Sequence, residues 1–473
     1  MLTTLNSYFT SFISLGAPAM MFFIITLLSL LFRVKLTKAL EGGITMAVAL
    51  TGMGAIISLL TSAFGPALQK FVESTGVELS VTDLGWAPLA VITWGSVYTL
   101  YFALVCIVIN LALLSANKVK TLNVDLFNIW NLSVIGLLTM YFSGNNMVLT
   151  TIVVGGIYVL VLFNSDALQP SIKKLLKYDD DSITTTAHPS LLICPPVLII
   201  NKFISRVFPF IDKYDFDADK LNEKIGFWGS KFAIGVYLGL FVGLLAELPM
   251  DELFALSFTA GVALELFALV GNWFGPAIKP LSDGIASTMK KRFKGREVFV
   301  AIDWPILASR AELWAVVNIL APILLFFAVL LPGNNVLPLG GILLTVLAPA
   351  LLVITQGKVL RMTIIGTILI PIFLWAATLI AEFVTNTSIA MNSLPSGLAE
   401  GQLFSSVDSM PLEKMLSILI AKASLIPNIE SILLAAAAVA AYLAMFIWYF
   451  KAMKKTEINE TPVQNTLSVE GTK

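Results

Sequence analysis

The residues of this chain best suited to chemistry are few, and most stand beside proline or tryptophan. His188, in "TTAHPS", is the only histidine; near neutral pH an imidazole can donate or accept a hydrogen bond or move a proton. Two acidic, aromatic and proline-bearing elements, "TDLGWAP" at 82–88 and "AIDWP" at 301–305, present Asp83 with Trp86 and Asp303 with Trp304. A carboxylate can bind hydroxyls bidentately, and an indole can pack on a carbon backbone while donating one hydrogen bond. The plainer alternative is a helix N-cap beside an interfacial tryptophan. Asp125, Asn128 and Asn131 recur every three residues beside Trp130, so on a helix they share one face. In lipid such a face must turn to protein or to a wet cavity, for ligand binding or for helix–helix hydrogen bonds. "PGNNVLP" adds Asn334 and Asn335 in a turn that Pro332 and Pro338 keep from being helical, either a tight outer turn or a substrate-lining gate.

Other charged groups have a structural reading first. Glu265 in "GVALELFALVG" pairs most simply with Arg310; Arg310 also follows Asp303 by seven residues and could orient that carboxylate, with Glu312 close by. Cys106 and Cys194 form no disulfide framework and no metal motif, and read as small apolar packers. No cofactor or metal is expected, and no nucleic-acid partner.

These residues must be positioned by membrane elements. Hydrophobic residues make up 57% of the 473 residues and charged ones 13%, with mean hydropathy +0.88; a soluble chain carries roughly 25% charged residues. Apolar runs of about 20 residues, enough to cross a bilayer, fall near 14–33, 44–63, 89–115, 125–142, 146–164, 228–247, 253–272, 304–331, 336–355, 362–384 and 430–450. Stretches 189–210 and 388–428 are apolar but broken by Pro, Asn and Ser, and read as re-entrant hairpins or surface-lying helices. No Lys or Arg precedes Arg33, so the first run lacks the charged start of a cleaved signal and is expected to stay as a helix. Of the 30 Lys and Arg, 25 fall on one set of alternate loops and tails, while Lys70, Lys414 and Lys422 fall on the other. The positive-inside rule then puts the N-terminus outside and the C-terminus in the cytoplasm.

A repeat underlies this order. "FGPALQKF" at 64–71 follows the second span and "FGPAIKPL" at 274–281 the seventh; each precedes one of the two Asp–Trp elements. "NVDLFNIW" and "PGNNVLPLGG" match in the same order, at offsets of about 210–220 residues. Five spans per unit is odd, so the second unit enters from the opposite side. The expected fold is an all-α integral membrane protein of about eleven helices, two inverted five-helix repeats and a C-terminal helix, with a site near the midplane between broken helices. Gly-Pro in each FGPA copy is expected to end its span and start an arm along the membrane face.

"TDLGWAP…TW", "NVDLFNIW", "TTAHPS" followed by "PP", "IKPLSDG" and "PGNNVLPLGG" together resemble the galactitol-type permease component, enzyme IIC, of the bacterial phosphotransferase system (PTS), over about residues 10–450. The resemblance implies the ascorbate-galactitol group, a homodimer with a scaffold beside a moving core, and a polyol that enters from outside and is phosphorylated by a separate phospho-IIB protein. It departs from the family at "HPSLLICPP" and at Gly340 and Gly341, where substrate contacts are expected. Divided accordingly, residues 1–80 and 216–295 are scaffold, 81–215 and 296–430 core, 431–455 the last helix and 456–473 a disordered cytoplasmic tail. The implied substrate contacts are Asp83, Trp86, Asp125, Asn128, His188, Asp303, Asn334 and Asn335, with His188 and Asp303 as catalytic candidates and the base left between the histidine and a carboxylate. "MKKRFKGRE" at 289–297 either docks phospho-IIB or meets anionic lipid. The rivals are an ion-coupled transporter using Asp83, Asp303 or Glu265, and a membrane-embedded enzyme.

Overall fold

The computed structural model describes residues 16–75, 79–123, 125–177, 184–215, 223–292, 298–341, 344–391, 393 and 402–460. Helices dominate it: α1 (Gly16–Leu31), α2 (Leu36–Thr75), α3 (Ala87–Trp94), α4 (Val97–Ser115), α5 (Leu126–Phe142), α6 (Met147–Leu176), α7 (Cys194–Val207) and α8 (Lys231–Leu245) in the first part of the chain. Then follow α9 (Met250–Gly271), α10 (Phe274–Arg292), α11 (Ala311–Leu330), α12 (Ala348–Thr355), α13 (Val359–Ala390), α14 (Pro411–Leu425) and α15 (Ile429–Glu460). Among the described residues eight helices are long and apolar enough to cross a membrane, or nine if Glu223–Gly229 and Lys231–Leu245, bent by 56°, count as one span. Pro18–Leu31 and Asn128–Phe142 are shorter apolar helices.

Several expected spans take another form. Residues 89–115 are two helices, because the chain breaks at Gly95 and Ser96 and the Ser96 side chain caps α4 by accepting from Tyr98 N. Residues 336–355 do not form one helix; a strand, a turn and the eight-residue α12 share that apolar run. Pro189–Val207, by contrast, passes as a candidate span. The first FGPA copy does not end its helix: α2 runs through it with Pro66 inside, since a membrane helix tolerates one lost backbone bond where neighbours re-satisfy the freed carbonyl. The second copy opens α10, where Pro276 sits in the first turn and its missing N–H leaves nothing unpaired. The basic run at 289–297 lies partly outside the described residues, as does the tail beyond Glu460.

Among the described residues six short strands, which no apolar periodicity announced, close the gaps between broken helices. They are β1 (Val81–Asp83), β2 (Thr121–Asn123), β3 (Thr184–Thr186), β4 (Phe299–Ile302), β5 (Val336–Pro338) and β6 (Leu403–Ser405). One sheet has the order β5-β1-β6 and the other β2-β4-β3, with every pair parallel. Each sheet therefore takes its middle strand from the other half of the chain. Thr82 pairs with Leu337 and Phe404, and Val300 with Leu122 and Thr184.

Backbone that is not helical survives inside such a protein only if its N–H and C=O groups find partners. The ladders supply them inside each sheet, and helix side chains supply them at the edges. Asn110 of α4 donates to Thr121 O and accepts from Asn123 N, while Asp166 of α6 accepts from Lys120 N and Thr121 N. Thr385 of α13 accepts from Phe404 N and donates to Phe404 O.

A polar strap holds one end of the second half. Asp212 bonds Lys358 and Arg361, and the Arg361 guanidinium also donates to Asn201 and Ser205 of α7. Burial pushes the Asp212 carboxyl up, but the two cations outweigh it and hold its pKa below the ordinary value.

Candidate functional site

Parallel strands end on the same side, so the residues just after β2, β3 and β4 converge. These are Asp125, His188 and Asp303. The Asp303 backbone N–H donates to Asp125 Oδ2 at 3.1 Å. Asp303 Oδ1 accepts from Trp304 N at 2.7 Å, capping the 3-10 turn Trp304–Ser309, and lies 4.0 Å from His188 Nε2. The His188 side chain is 5% exposed and that of Asp303 24%, so the carboxylate, not the imidazole, borders open space.

The histidine is held from three directions. Its backbone N–H donates to Thr186 Oγ1. Ser190 N donates to Nδ1 at 3.2 Å, and Ser190 Oγ lies 2.7 Å from the same nitrogen. A backbone N–H can only donate, so Nδ1 is the acceptor and the neutral ring carries its proton on Nε2. Nε2 lies 3.0 Å from Asn131 Nδ2; two donors cannot face each other, so with Nδ1 accepting, the Asn131 amide is to be assigned the other way round, with its oxygen towards the ring. His188 is thus a donor aimed between Asn131 and Asp303.

Helix α5 delivers the amides. Asn128 Nδ2 donates to Asn123 Oδ1, which also accepts from Asp125 N. Asn128 is fully buried, yet its Oδ1 has no partner among the described residues, and neither has Asn164 Oδ1 of α6, whose Nδ2 donates to Leu191 O. Buried acceptors without donors are uncommon in folded proteins. Between Asn128 and Asn131 stands Trp130, stacked on Trp94 at 5.6 Å, met edge-on by Trp86 at 6.3 Å and donating to Thr93 Oγ1. Asp125, Asn128, Asn131, His188 and Asp303 therefore form one constellation, with Trp86 joined to it through Trp130.

Asp83 sits elsewhere, at the end of the other sheet. Its Oδ1 accepts from Gly85 N at 2.8 Å and Val407 N at 2.7 Å, and its Oδ2 from Gly341 N at 2.6 Å. One carboxylate thereby ties the chain just past β1, β5 and β6. Gly340 is required there, because an added Cβ would lie 2.3 Å from Gly85 N and from Leu84 C. Asn334 and Asn335 stand at the opposite end of this sheet: Asn334 donates to Ala328 O and Val336 O and accepts from Val336 N, and Asn335 O accepts from Val81 N. Both side-chain donors of Asn334 are thus used, one on the last turn of α11 and one on β5.

Arg310 pairs with Glu312, not with Glu265; neighbours two apart at a helix start meet more readily than groups on separate helices. Glu265 instead borders a cavity of about 450 Å³ with Lys231, Trp314 and Asn318. Asn123, Asn164 and Ser190 were missed as positioning residues. Asn123 opens the quoted "NVDLFNIW", and Ser190 lies two residues past the histidine, so both signals were in view.

A family model described as PTS system sugar-specific permease component (EIIC-GAT) matches residues 11–397. The chain belongs to this family. A putative permease IIC component of Escherichia coli (strain K12) is 28% identical over 387 residues, covering 80% of this chain and 86% of that protein. The PTS system galactitol-specific EIIC component of the same strain is 25% identical over 405 residues, covering 84% and 86%. The permease is accordingly a multi-pass membrane protein of the phosphotransferase system. Its His188, Asp303, Asp125 and Asn128 all lie within the matched stretch, whereas α14 and α15 follow it.

Proposed function

We propose that this permease binds a polyol, galactitol, from outside and carries it through the plasma membrane for phosphorylation by a separate phospho-IIB protein. The observation that carries this reading is the cluster after sheet β2-β4-β3: two neighbouring carboxylates, an Nε2–H imidazole and two buried acceptors with no donor among the described residues. A polyol presents a row of hydroxyls, each both donor and acceptor, which suits that mixture. The name of the galactitol-specific relative supports the choice of polyol.

In this reading Asp303 is the base and His188 the donor that orients the same hydroxyl. As the substrate oxygen attacks the phosphorus of the IIB phosphocysteine, the O–P bond forms and the S–P bond breaks. The hydroxyl proton passes to Asp303, and the sulfur leaves as a thiolate on IIB. Asp125 receives the Asp303 backbone N–H and so holds the base in place. Asp83 ties the second sheet, while Asn334 and Asn335 serve its turn.

The exchanged strands support an inverted repeat. β1 ends in Asp83 and β4 is followed at once by Asp303, about 220 residues on, and each of the two strands lies between two strands of the opposite half. A scaffold that stays and a core that moves, a homodimer and an N-terminus outside complete the proposal; the distribution of Lys and Arg supports the orientation.

The test is uptake of labelled galactitol into vesicles, with and without phospho-IIB. Galactitol phosphate inside, appearing only with the phosphoryl donor, is the expected result. Unmodified galactitol accumulating against its gradient without a donor overturns the proposal in favour of ion-coupled transport.

A further inference from the structure

A large cavity lies apart from the cluster at His188. It measures about 1240 Å³ and opens between the turn joining α1 to α2 and the amphipathic α10. Its charged lining is Arg33, Lys35, Lys38 and Lys279 against Glu41 and Asp283. Two of the cations are already matched: Lys38 lies 2.6 Å from Glu41, and Lys279 lies 3.2 Å from Asp283. Arg33 and Lys35 have no carboxylate partner among the described residues, so the cavity keeps an excess of two positive charges.

The backbone builds this cavity. Arg33 closes α1 in the left-handed conformation, φ 62°, with its N–H on Leu30 O, while Val34 N reaches back to Ser29 O. The floor is a close approach: a Cβ on Gly284 would lie 2.8 Å from Val34 Cγ2 and 3.2 Å from Phe32 O. Only a residue without a side chain lets α10 lie this near the turn. Beside the cations, Leu27, Leu31, Leu36 and Ile44 are exposed on the same two helices. In a membrane protein such leucines face acyl chains. A cationic cavity opening beside an acyl-facing surface fits an amphiphile with a negative head.

We propose that this cavity binds an anionic glycerophospholipid, its phosphate held by Arg33 and Lys35 and its acyl chains laid along Leu31, Leu36 and Ile44. Lys38 and Lys279, each neutralised by its own partner, shape the rim. Because α10 forms one wall, bound lipid fixes that helix against the α1–α2 turn.

The test is native mass spectrometry of the full-length permease released from nanodiscs of phosphatidylcholine containing a minor fraction of phosphatidylglycerol. Retention of phosphatidylglycerol over phosphatidylcholine is expected. Each surface cation near a membrane contributes about 1 kcal/mol towards an anionic lipid, so Arg33→Gln or Lys35→Gln should each lower retention about fivefold and the double variant about thirtyfold. Arg33→Lys should keep most of it, and Lys118→Gln, an exposed cation elsewhere, should change nothing. Equal retention of the two lipids overturns the proposal, as does a preference untouched by the double variant. Inorganic phosphate added in excess should not displace the lipid; full displacement would mark a free-phosphate site and overturn the lipid assignment. None of these readouts depends on transport or on the polyol.

Discussion

His188 Nε2 and Asp303 Oδ1 face each other across the β3–β4 pairing at 4.0 Å, too far for a hydrogen bond. That gap separates a fixed donor from a carboxylate, and one substrate hydroxyl can touch both. The first prediction divides their duties. Asp303→Asn should lower phosphoryl transfer by about 10²–10⁴-fold while galactitol affinity changes less than tenfold. His188→Ala should weaken binding, by about tenfold for one lost hydrogen bond. Calorimetric titration and a phosphorylation assay with phospho-IIB separate the two effects. Equal losses of both kinds in both variants would show that the roles are not divided.

A second prediction uses the fact that the chain has one histidine. Permease labelled with ¹⁵N-histidine gives a single imidazole, whose two nitrogen shifts report the tautomer. With Ser190 N donating to Nδ1, the neutral ring should carry its proton on Nε2. A proton on Nδ1 would turn Nε2 into an acceptor and move the role of base to His188.

Asp83 offers a contrast. Its oxygens accept three backbone N–H groups, and Asp83→Asn replaces one oxygen with a donor that faces a donor. The variant should lose about 1–3 kcal/mol of stability, seen as a lower thermal midpoint in detergent, with galactitol affinity intact once folded. Reduced affinity at an unchanged midpoint would mean that Asp83 binds substrate.

Gly340→Ala acts on the same end of the sheet through volume. The new methyl group would press on the backbone of Leu84 and Gly85, where no flexible side-chain end can move away. A loss of at least about 1–3 kcal/mol is expected, measured by thermal unfolding. An unchanged midpoint would show that the strand ends separate easily.

The strap at Asp212 predicts acid sensitivity. Its carboxyl pKa is lower folded than unfolded, so its stabilising effect is present above the unfolded value and is lost as pH falls through the folded one. Asp212→Asn should remove this part of the pH dependence and match the wild type's strap at low pH. Limited proteolysis near Pro209–Tyr214, followed from neutral to acid pH, tests it; cleavage that rises equally in wild type and variant would contradict it.

Much of the cluster could be read from residue types and spacing. Asp125, Asn128 and Asn131 shared a face as their spacing required, and His188 and Asp303 stood out because buried ionisable groups are scarce in an apolar chain. The parts that were hidden have physical reasons. A strand of three or four residues is too short to show alternation, so the strands left no periodic trace. Residues 336–355 are as apolar as a span because their strand and short helix are both buried, and hydropathy records burial, not helicity. Asp83 and Asp303 look alike in sequence, yet only the fold reveals that Gly341 and Val407 bring backbone donors to the first, whereas the second faces an imidazole. The sequence also does not reveal that Asn334 Nδ2 donates to Ala328 O and Val336 O.

The exchange of strands also governs how the chain can be made. Asp83 cannot meet Val407 N until 324 further residues have been joined. At roughly 5–20 residues per second, β1 waits some tens of seconds, already in place but with its backbone groups unpaired. The first half can insert but cannot finish folding, and a product truncated before β6 leaves a sheet with an open edge. Such fragments should be substrates for quality-control proteases. Conversely, two halves supplied as separate polypeptides could each donate the strand the other lacks, and assemble without a covalent link.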